Sequence, residues 1–485
     1  MPVRVGPNTS RLREFGFKDC CGETPQPSRR GDRYRDKTNR RRLDFEMRIV
    51  ICFPRTETPN VNSTPLSKYG KPALCFFIAV LAAGPVFPAD FDAATAATNT
   101  VGLELFRHMA RPDENACLSP YSIQTALAMT FAGSDGETRA EMSRVLHFAN
   151  DESIHASFSA LQKSLDGSVE KSSQLAANSR KFGGASEPIT LAVANRLFPQ
   201  AGYPIRSEFS SAMQRFYGGN LEPLDFRGNA NGAREHINSW VAKQTRDRIR
   251  DLIPPNGVDK TTRLVLANAL YLKAPWETEF HDALTKPAPF HVDGKEAVDV
   301  PMMQRVGHLG FVQKGNWTLV AIPYVGSELQ FLILLPSGEG AKEAMQKLTP
   351  SLLQEGTHLQ PVLVDLSLPK FKFSSPTIPL ATFLKELGLK TAFDQPPGSA
   401  NFDRMAPRKP DDYLAISEVF HKTFIAVDEK GTEAAAATAV SMMAGARAVR
   451  ESEPVVVRVD RPFFYAIQHR PSGTCLFLGR TSDPR

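Results

Sequence analysis

Cysteine is scarce where it would matter, catalytic signatures are missing, and no apolar run is long enough to span a membrane comfortably. Of the six cysteines, Cys20, Cys21, Cys52 and Cys75 precede residue 90, leaving Cys117 and Cys475 for the remainder. Two cysteines among apolar neighbours exclude a disulfide-built scaffold. They read as two small buried hydrophobes, with a bridge between them left open. No C-x-x-C or Cys/His spacing suggests zinc, and the ten histidines have no ligand spacing, so neither metal nor cofactor is expected. There is no G-x-S-x-G elbow, H-E-x-x-H, G-x-x-x-x-G-K-[ST] or G-x-G-x-x-G. No catalytic residue is assigned, and the chain does not read as an enzyme.

An excess of one charge is also missing from most of the chain. The net charge is +6, but residues 1–89 hold 16 of the 58 Lys/Arg and 8 of the 52 Asp/Glu. The remainder is therefore close to neutral, at −2. It lacks the basic footprint of a nucleic-acid binder, and no nucleic-acid partner is expected.

What is there falls into three parts. Residues 1–70 are rich in Arg, Pro, Ser, Thr and Asn and carry Arg29-Arg30 and Arg40-Arg41-Arg42 without apolar period. This composition predicts a disordered basic leader. Met47 is an alternative start, which would make residues 1–46 an over-extended reading of the gene. Lys68 and Lys71 precede the apolar run 72–83 and small residues follow, so 71–89 reads as a secretory signal. The expected location is secreted or extracellular, or periplasmic in a bacterium. From 90 to 485 the chain reads as one domain, with no repeat and no Gly/Ser linker.

The first half of that domain is mostly helical. Leu103, Phe106 and Met109 have helical spacing. Ser119-Pro120 starts a second helix, Ser as cap and Pro at the first position. Thr138 and Glu141 form a capping-box pattern for a third. Strands follow at 191–198, 264–272, 319–324 and 329–335, the last two forming a hairpin. The run 264–272 is apolar on both faces, as a central strand should be. Two more strands, 462–467 and 474–479, close the chain. Helices first and sheets later predict an α+β fold.

The most unusual stretch is Thr432 to Ala444, thirteen residues with no Gly, Pro or aromatic. Its four alanines, Ala434, Ala435, Ala436 and Ala437, suit a helix and also fit a tightly packed strand. It follows the strand-like run 420–428 and precedes a polar stretch, 445–454. A segment without strong preference, strung between two strands, is a loop held out for presentation.

Over residues 95–485 the sequence resembles the serpins. Ser119-Pro120-Tyr121-Ser122-Ile123 resembles the second helix of that fold. Asn268-Ala269-Leu270-Tyr271-Leu272-Lys273-Ala274-Pro275-Trp276 resembles its N-A-x-Y-F-K-G-x-W strand, with Ala274-Pro275 departing from the usual Gly-x. Asn401-Phe402-Asp403-Arg404-Met405 resembles the motif before the fifth strand of the main sheet. Asp428-Glu429-Lys430-Gly431-Thr432-Glu433 resembles the approach to the hinge, and Pro462-Phe463-Phe464 and Leu476-Phe477-Leu478-Gly479-Arg480 the closing strands.

The resemblance implies N-terminal helices on a large mixed central sheet, further sheets, and an exposed reactive loop at about 429–458. It implies a suicide inhibitor of serine proteases. The protease cuts the loop, is held as an acyl-enzyme, and is trapped when the loop inserts into the sheet. The inserted strand would turn Thr432, Ala434, Ala436, Thr438, Val440 and Met442 inward and Glu433 outward. Glu429, Gly431, Thr432, Glu433 and the four alanines would form the hinge. Ser119, Ser122, Asn268 and His421 would form a hydrogen-bonded region under the sheet, and Trp276 would mark where the loop goes in. Fourteen residues beyond Gly431, the reactive bond would be Gly445-Ala446, suiting elastase- or subtilisin-like enzymes; Arg447-Ala448 would suit trypsin-like ones. The chain is expected to be a monomer. A non-inhibitory carrier or chaperone of the same fold is the alternative.

Overall fold

Buried Ala94, Ala97, Val101 and Leu105 recur at helical spacing, and α1 spans Asp92–Met109. In chain order follow β1 (Ala116–Leu118), α2 (Pro120–Gly133), α3 (Gly136–Val145), α4 (Ser153–Lys181), β2 (Thr190–Pro199), α5 (Ser207–Tyr217), α6 (Phe226–Gln244) and β3 (Leu264–Pro275). Then come β4 (Lys286–Phe290), β5 (Val298–Lys314), β6 (Trp317–Pro323), β7 (Leu329–Pro336), α7 (Ala341–Gln346), α8 (Pro350–Glu355), β8 (Gln360–Pro369), β9 (Phe371–Ser374), β10 (Ile378–Pro379) and α9 (Ala381–Glu386). The last strands are β11 (Glu418–Asp428), β12 (Gly431–Thr432), β13 (Val455–Arg458), β14 (Phe463–His469) and β15 (Thr474–Thr481). This computed structural model describes residues 91–485 except 112, 150–151, 182–186, 293–295, 339 and 434–452. The leader 1–70 and the signal-like segment 71–89 lie outside the described residues.

Two sheets organise the domain. A nine-stranded sheet runs β1-β15-β14-β7-β6-β5-β8-β13, with β4 on β5. A six-stranded sheet runs β10-β11-β12-β3-β2, with β9 on β11. Helices precede most strands and both sheets contain antiparallel and parallel pairs, which is the α+β arrangement expected from the sequence.

β3 is covered on both faces, as its unbroken apolar run predicts. Leu264, Leu266, Leu270 and Leu272 join the main core with α1 to α4. Val265, Ala267 and Ala269 point the other way, into a second core with Phe198, Ile237, Val241 and Phe420 beneath α6. The six-stranded sheet is thus clasped between two apolar layers.

α3 departs from the capping-box expectation. It begins three residues earlier, with Asp135 as the flanking residue. The Thr138 hydroxyl is used elsewhere, accepting from the Asn401 amide at 3.0 Å. The Glu141 carboxylate accepts from the Lys390 and Thr391 amides, each at 2.8 Å. Distant backbone donors outcompeted the helix's own.

Candidate functional site

β3 and β11 are neighbours in two different ways along their length. In the lower half they pair directly and in parallel, from Val265–Glu418 to Leu270–Thr423. Carried upward unchanged, that register would set Asp428 beside Pro275. Instead Gly431 pairs with both, and Thr432 pairs with Val427 and Ala274. β12 is therefore a short antiparallel wedge between two parallel strands.

The lower half is closed by a buried polar row. Ser119 caps α2, its hydroxyl accepting from the Ser122 amide at 3.3 Å. The Ser119 amide donates to Nε2 of His421 at 3.0 Å, so that nitrogen accepts and Nδ1 carries the proton. Nδ1 then donates to Oδ1 of Asn268 at 2.5 Å. Burial holds the His421 imidazole down at about 3, far below its ordinary value, so it is neutral. The Ser122 hydroxyl donates to Oδ1 of Asn195 at 2.7 Å, and Asn195 returns a bond to the Ser122 carbonyl at 3.0 Å. Asn195 stands opposite Asn268 on β2, so one row crosses three strands. The side-chain nitrogen Nδ2 of Asn268 has no hydrogen-bond partner among the described residues.

The upper half is held open by aromatic rings and a tight turn. The Asp428 carboxylate accepts from the amides of Lys430 at 2.9 Å and Gly431 at 3.2 Å, folding the chain back on itself. Trp276 fastens this turn, its ring nitrogen donating to the Asp428 carbonyl and its amide to that of Lys430, both at 2.9 Å. The indole stacks on Tyr324, with centroids 4.6 Å apart and planes 6° from parallel. Tyr324 in turn shares a 2.5 Å hydrogen bond with the Thr432 hydroxyl, and Thr432 is only 2% exposed. Gly431 is required here. Its φ is +155°, and a Cβ would lie 2.2 Å from the Ala274 carbonyl oxygen.

Glu429 anchors the turn from its far side. It accepts from Thr285 at 2.8 Å and from Lys370 at 2.6 Å. Burial opposes its charge, but the Lys370 bond prevails and the carboxyl stays below its ordinary value. Glu433 is not turned outward into solvent as expected: its side chain is 9% exposed and ion-paired with Arg248.

The structure thus brings Ser119, Asn268 and His421 into one row, ties Ser122 to it through Asn195, and fastens Trp276 to the turn at Asp428 and Lys430. Ala434, Ala435, Ala436 and Ala437, and the pairs Gly445-Ala446 and Arg447-Ala448, lie outside the described residues. Sequence reading missed Asn195, Tyr324, Lys370, Thr285 and Arg248. Asn195 carried a weak signal, a polar residue in a mostly apolar strand but followed directly by Arg196; the others carried none. Cys117 and Cys475 are both free and buried. Among the described residues no group of three His, Cys, Asp or Glu is placed to hold a metal ion, and no helix is long and apolar enough to cross a membrane.

Known proteins share this architecture. A family model described as Serpin (serine protease inhibitor) matches residues 96–484. An uncharacterized serpin-like protein of Thermococcus kodakarensis is 35% identical over 394 residues, covering 80% of this chain and 85% of its own. Leukocyte elastase inhibitor A of Rattus norvegicus is 35% identical over 402 residues, covering 80% and 99%. Among solved structures, uncleaved ovalbumin superposes with a TM-score of 0.65 at 27% identity, over 81% of this chain and all of its own. The thermophilic serpin tengpin in its native state gives 0.68 at 27%, over 81% and 94%. A family model spanning almost the whole folded domain, together with these full-length relatives, shows that the chain belongs to the serpin family.

Proposed function

We propose that the chain inhibits serine proteases as a suicide substrate, with the loop between β12 and β13 as bait. The observation that carries this is the wedge: Gly431 and Thr432 already occupy a strand position between β3 and β11. The loop joins this position to β13, a strand of the other sheet. Antiparallel pairing is slightly stronger per residue than parallel pairing. Extending β12 replaces one parallel contact by two antiparallel ones, which favours insertion.

The register of β12 sets where the loop would go. Continued antiparallel from Thr432 opposite Ala274 and Val427, Ala434 meets Leu272 and Ile425. Ala436 meets Leu270 and Thr423, and Thr438 falls between Asn268 and His421. Met442 reaches Leu264, where β3 begins. The inward positions are small or β-branched until Met442, which packs adaptably. The Thr438 hydroxyl would stand between the two groups whose bond the insertion breaks. Ser119, Ser122, Asn268 and His421 are then structural gates, Trp276 the fastening at the mouth, and Glu429 to Ala437 the hinge.

The chemistry is the protease's own. Its serine oxygen attacks the carbonyl carbon of Gly445, and the bond to Ala446 breaks. The new amine leaves on the C-terminal fragment, taking up the proton lost by the serine hydroxyl, and an ester remains on Gly445. Water would release that ester; insertion carries it away before water acts. Arg447-Ala448 is the second candidate bond, and it would select a trypsin-like enzyme. Export of the chain as a monomer, directed by residues 71–89, is part of this reading.

A panel of trypsin, pancreatic elastase and subtilisin tests it. We expect one of them to form a complex that survives denaturing electrophoresis, together with a released peptide beginning at Ala446 or Ala448. Cleavage of the loop without a trapped complex would support the non-inhibitory carrier or chaperone instead.

A further inference from the structure

Glu433 is the last described residue before the bait, and three observations single it out. Its φ is +50°, a left-handed conformation that side-chain-bearing residues rarely adopt. The chain therefore leaves strand geometry one residue after Thr432, although the Glu433 amide still donates to the Ala426 carbonyl at 2.8 Å. Its side chain is buried, and its carboxylate is ion-paired with Nε of Arg248. Arg248 belongs to the segment that follows α6 and lies 5.8 Å from the centre of the Phe424 ring on β11. Burial raises the Glu433 carboxyl, and Arg248, Lys273 and Lys372 pull it back. Of these, Lys273 is engaged by Glu187, and Lys372 sits 5.6 Å from the same Phe424 ring.

Further insertion requires Glu433 to swing into extended geometry, and the carboxylate is held while the backbone turns out. We propose that Arg248 is a positioning residue: acting through Glu433, it stops the intact loop after two strand residues. This rests on the insertion reading above. An uncut loop that zipped further down β3 would draw its bait out of a protease's reach, so a stop at this point keeps the bait on offer.

The full-length variants Arg248→Ala, Glu433→Gln, their double, and Arg248→Lys test this. Each is incubated uncut at physiological temperature. Urea-gradient gels follow conversion to a more urea-resistant form, and mass analysis shows that the chain remains whole. We expect Arg248→Ala and Glu433→Gln each to convert about fivefold faster than the parent, as loss of one half-exposed ion pair implies. The double should be no faster than either single, and Arg248→Lys should restore most of the parent rate. The unfolding midpoint of the freshly prepared protein should fall only slightly and by the same amount in both single variants, because unfolding breaks the same pair. Conversion of both single variants at the parent rate overturns the proposal, as does acceleration by Arg248→Ala alone. If the fresh parent traps no protease, the insertion-inhibitor reading fails separately, because the urea gels still report on the stop.

Discussion

The two halves of the β3–β11 seam are built from the same pair of strands in one register, yet they are held in opposite ways. Below, the strands touch, and a buried row of side chains, Asn195, Asn268 and His421, backs them from the end of α2. Above, they are parted by two residues of a third strand, seated under Tyr324 and fastened by Trp276. Side-chain hydrogen bonds close the seam where directional partners are available, and a backbone wedge opens it where Gly431 lets two chains approach. Insertion in this account is the downward travel of a fork that the fold has already started.

The comparison can be broken first from above. Thr432→Arg places an unpaired charge against Tyr324 in a site closed to water. We expect a penalty of about 3 kcal/mol or more on keeping the wedge. The variant should be cut as a substrate, with the stoichiometry of inhibition up about tenfold or more on titration against the trapped protease. An unchanged stoichiometry would remove Thr432 from the inserted strand.

Breaking it from below should cost nearly as much. His421→Ala leaves the Ser119 amide and the Asn268 side chain without their partner and opens a cavity. The expected loss is about 3 kcal/mol, read from the urea midpoint. The lower half should also part more readily, so uncut protein should convert faster to the urea-resistant form.

Acid sharpens the same point without mutation. The imidazole of His421 is neutral in the fold and titrates near 6.5 once unfolded. Stability is therefore complete above pH 6.5 and falls as pH drops towards 3, by about 2 kcal/mol at pH 5. His469, held down at about 4, adds a loss of the same sign. Urea midpoints at pH 7 and pH 5 check this, and His421→Gln should remove part of the difference. Equal midpoints at the two pH values would contradict a neutral buried row.

The smallest effect should come from Lys370→Ala. Its charge is 42% exposed and Glu429 keeps Thr285, so we expect less than about 1 kcal/mol, visible as a small shift in melting temperature.

How much of this was legible in the sequence depended on range. The Ser119 cap, the β6–β7 hairpin and the two-sided apolar run of β3 are local patterns; the cap and hairpin appear within a residue or two of where the spacing set them, and β3 runs three residues further, to Pro275. The fold class followed from their order. The capping box at Thr138 failed because both of its side chains found backbone donors about 250 residues away. β5, a 17-residue strand broken by Gly307 and Gly310, has no clean alternation to announce it. Tyr324, Lys370 and Arg248 act on the hinge from elements far from it in the chain, and nothing beside them in sequence marks that role. The hinge motif directed attention to the segment from Glu429 onward; it could not show that Glu433 is folded inward onto Arg248.

Amide hydrogen exchange along the open half of the seam tests the central claim most directly. The edges of Tyr271–Lys273 and Phe424–Ala426 that face each other should exchange quickly in the intact chain. They should become strongly protected once the loop is cut, as the inserted strand takes up their backbone groups. Equal exchange before and after cleavage would contradict the account, because the loop would then have been cut without entering the sheet.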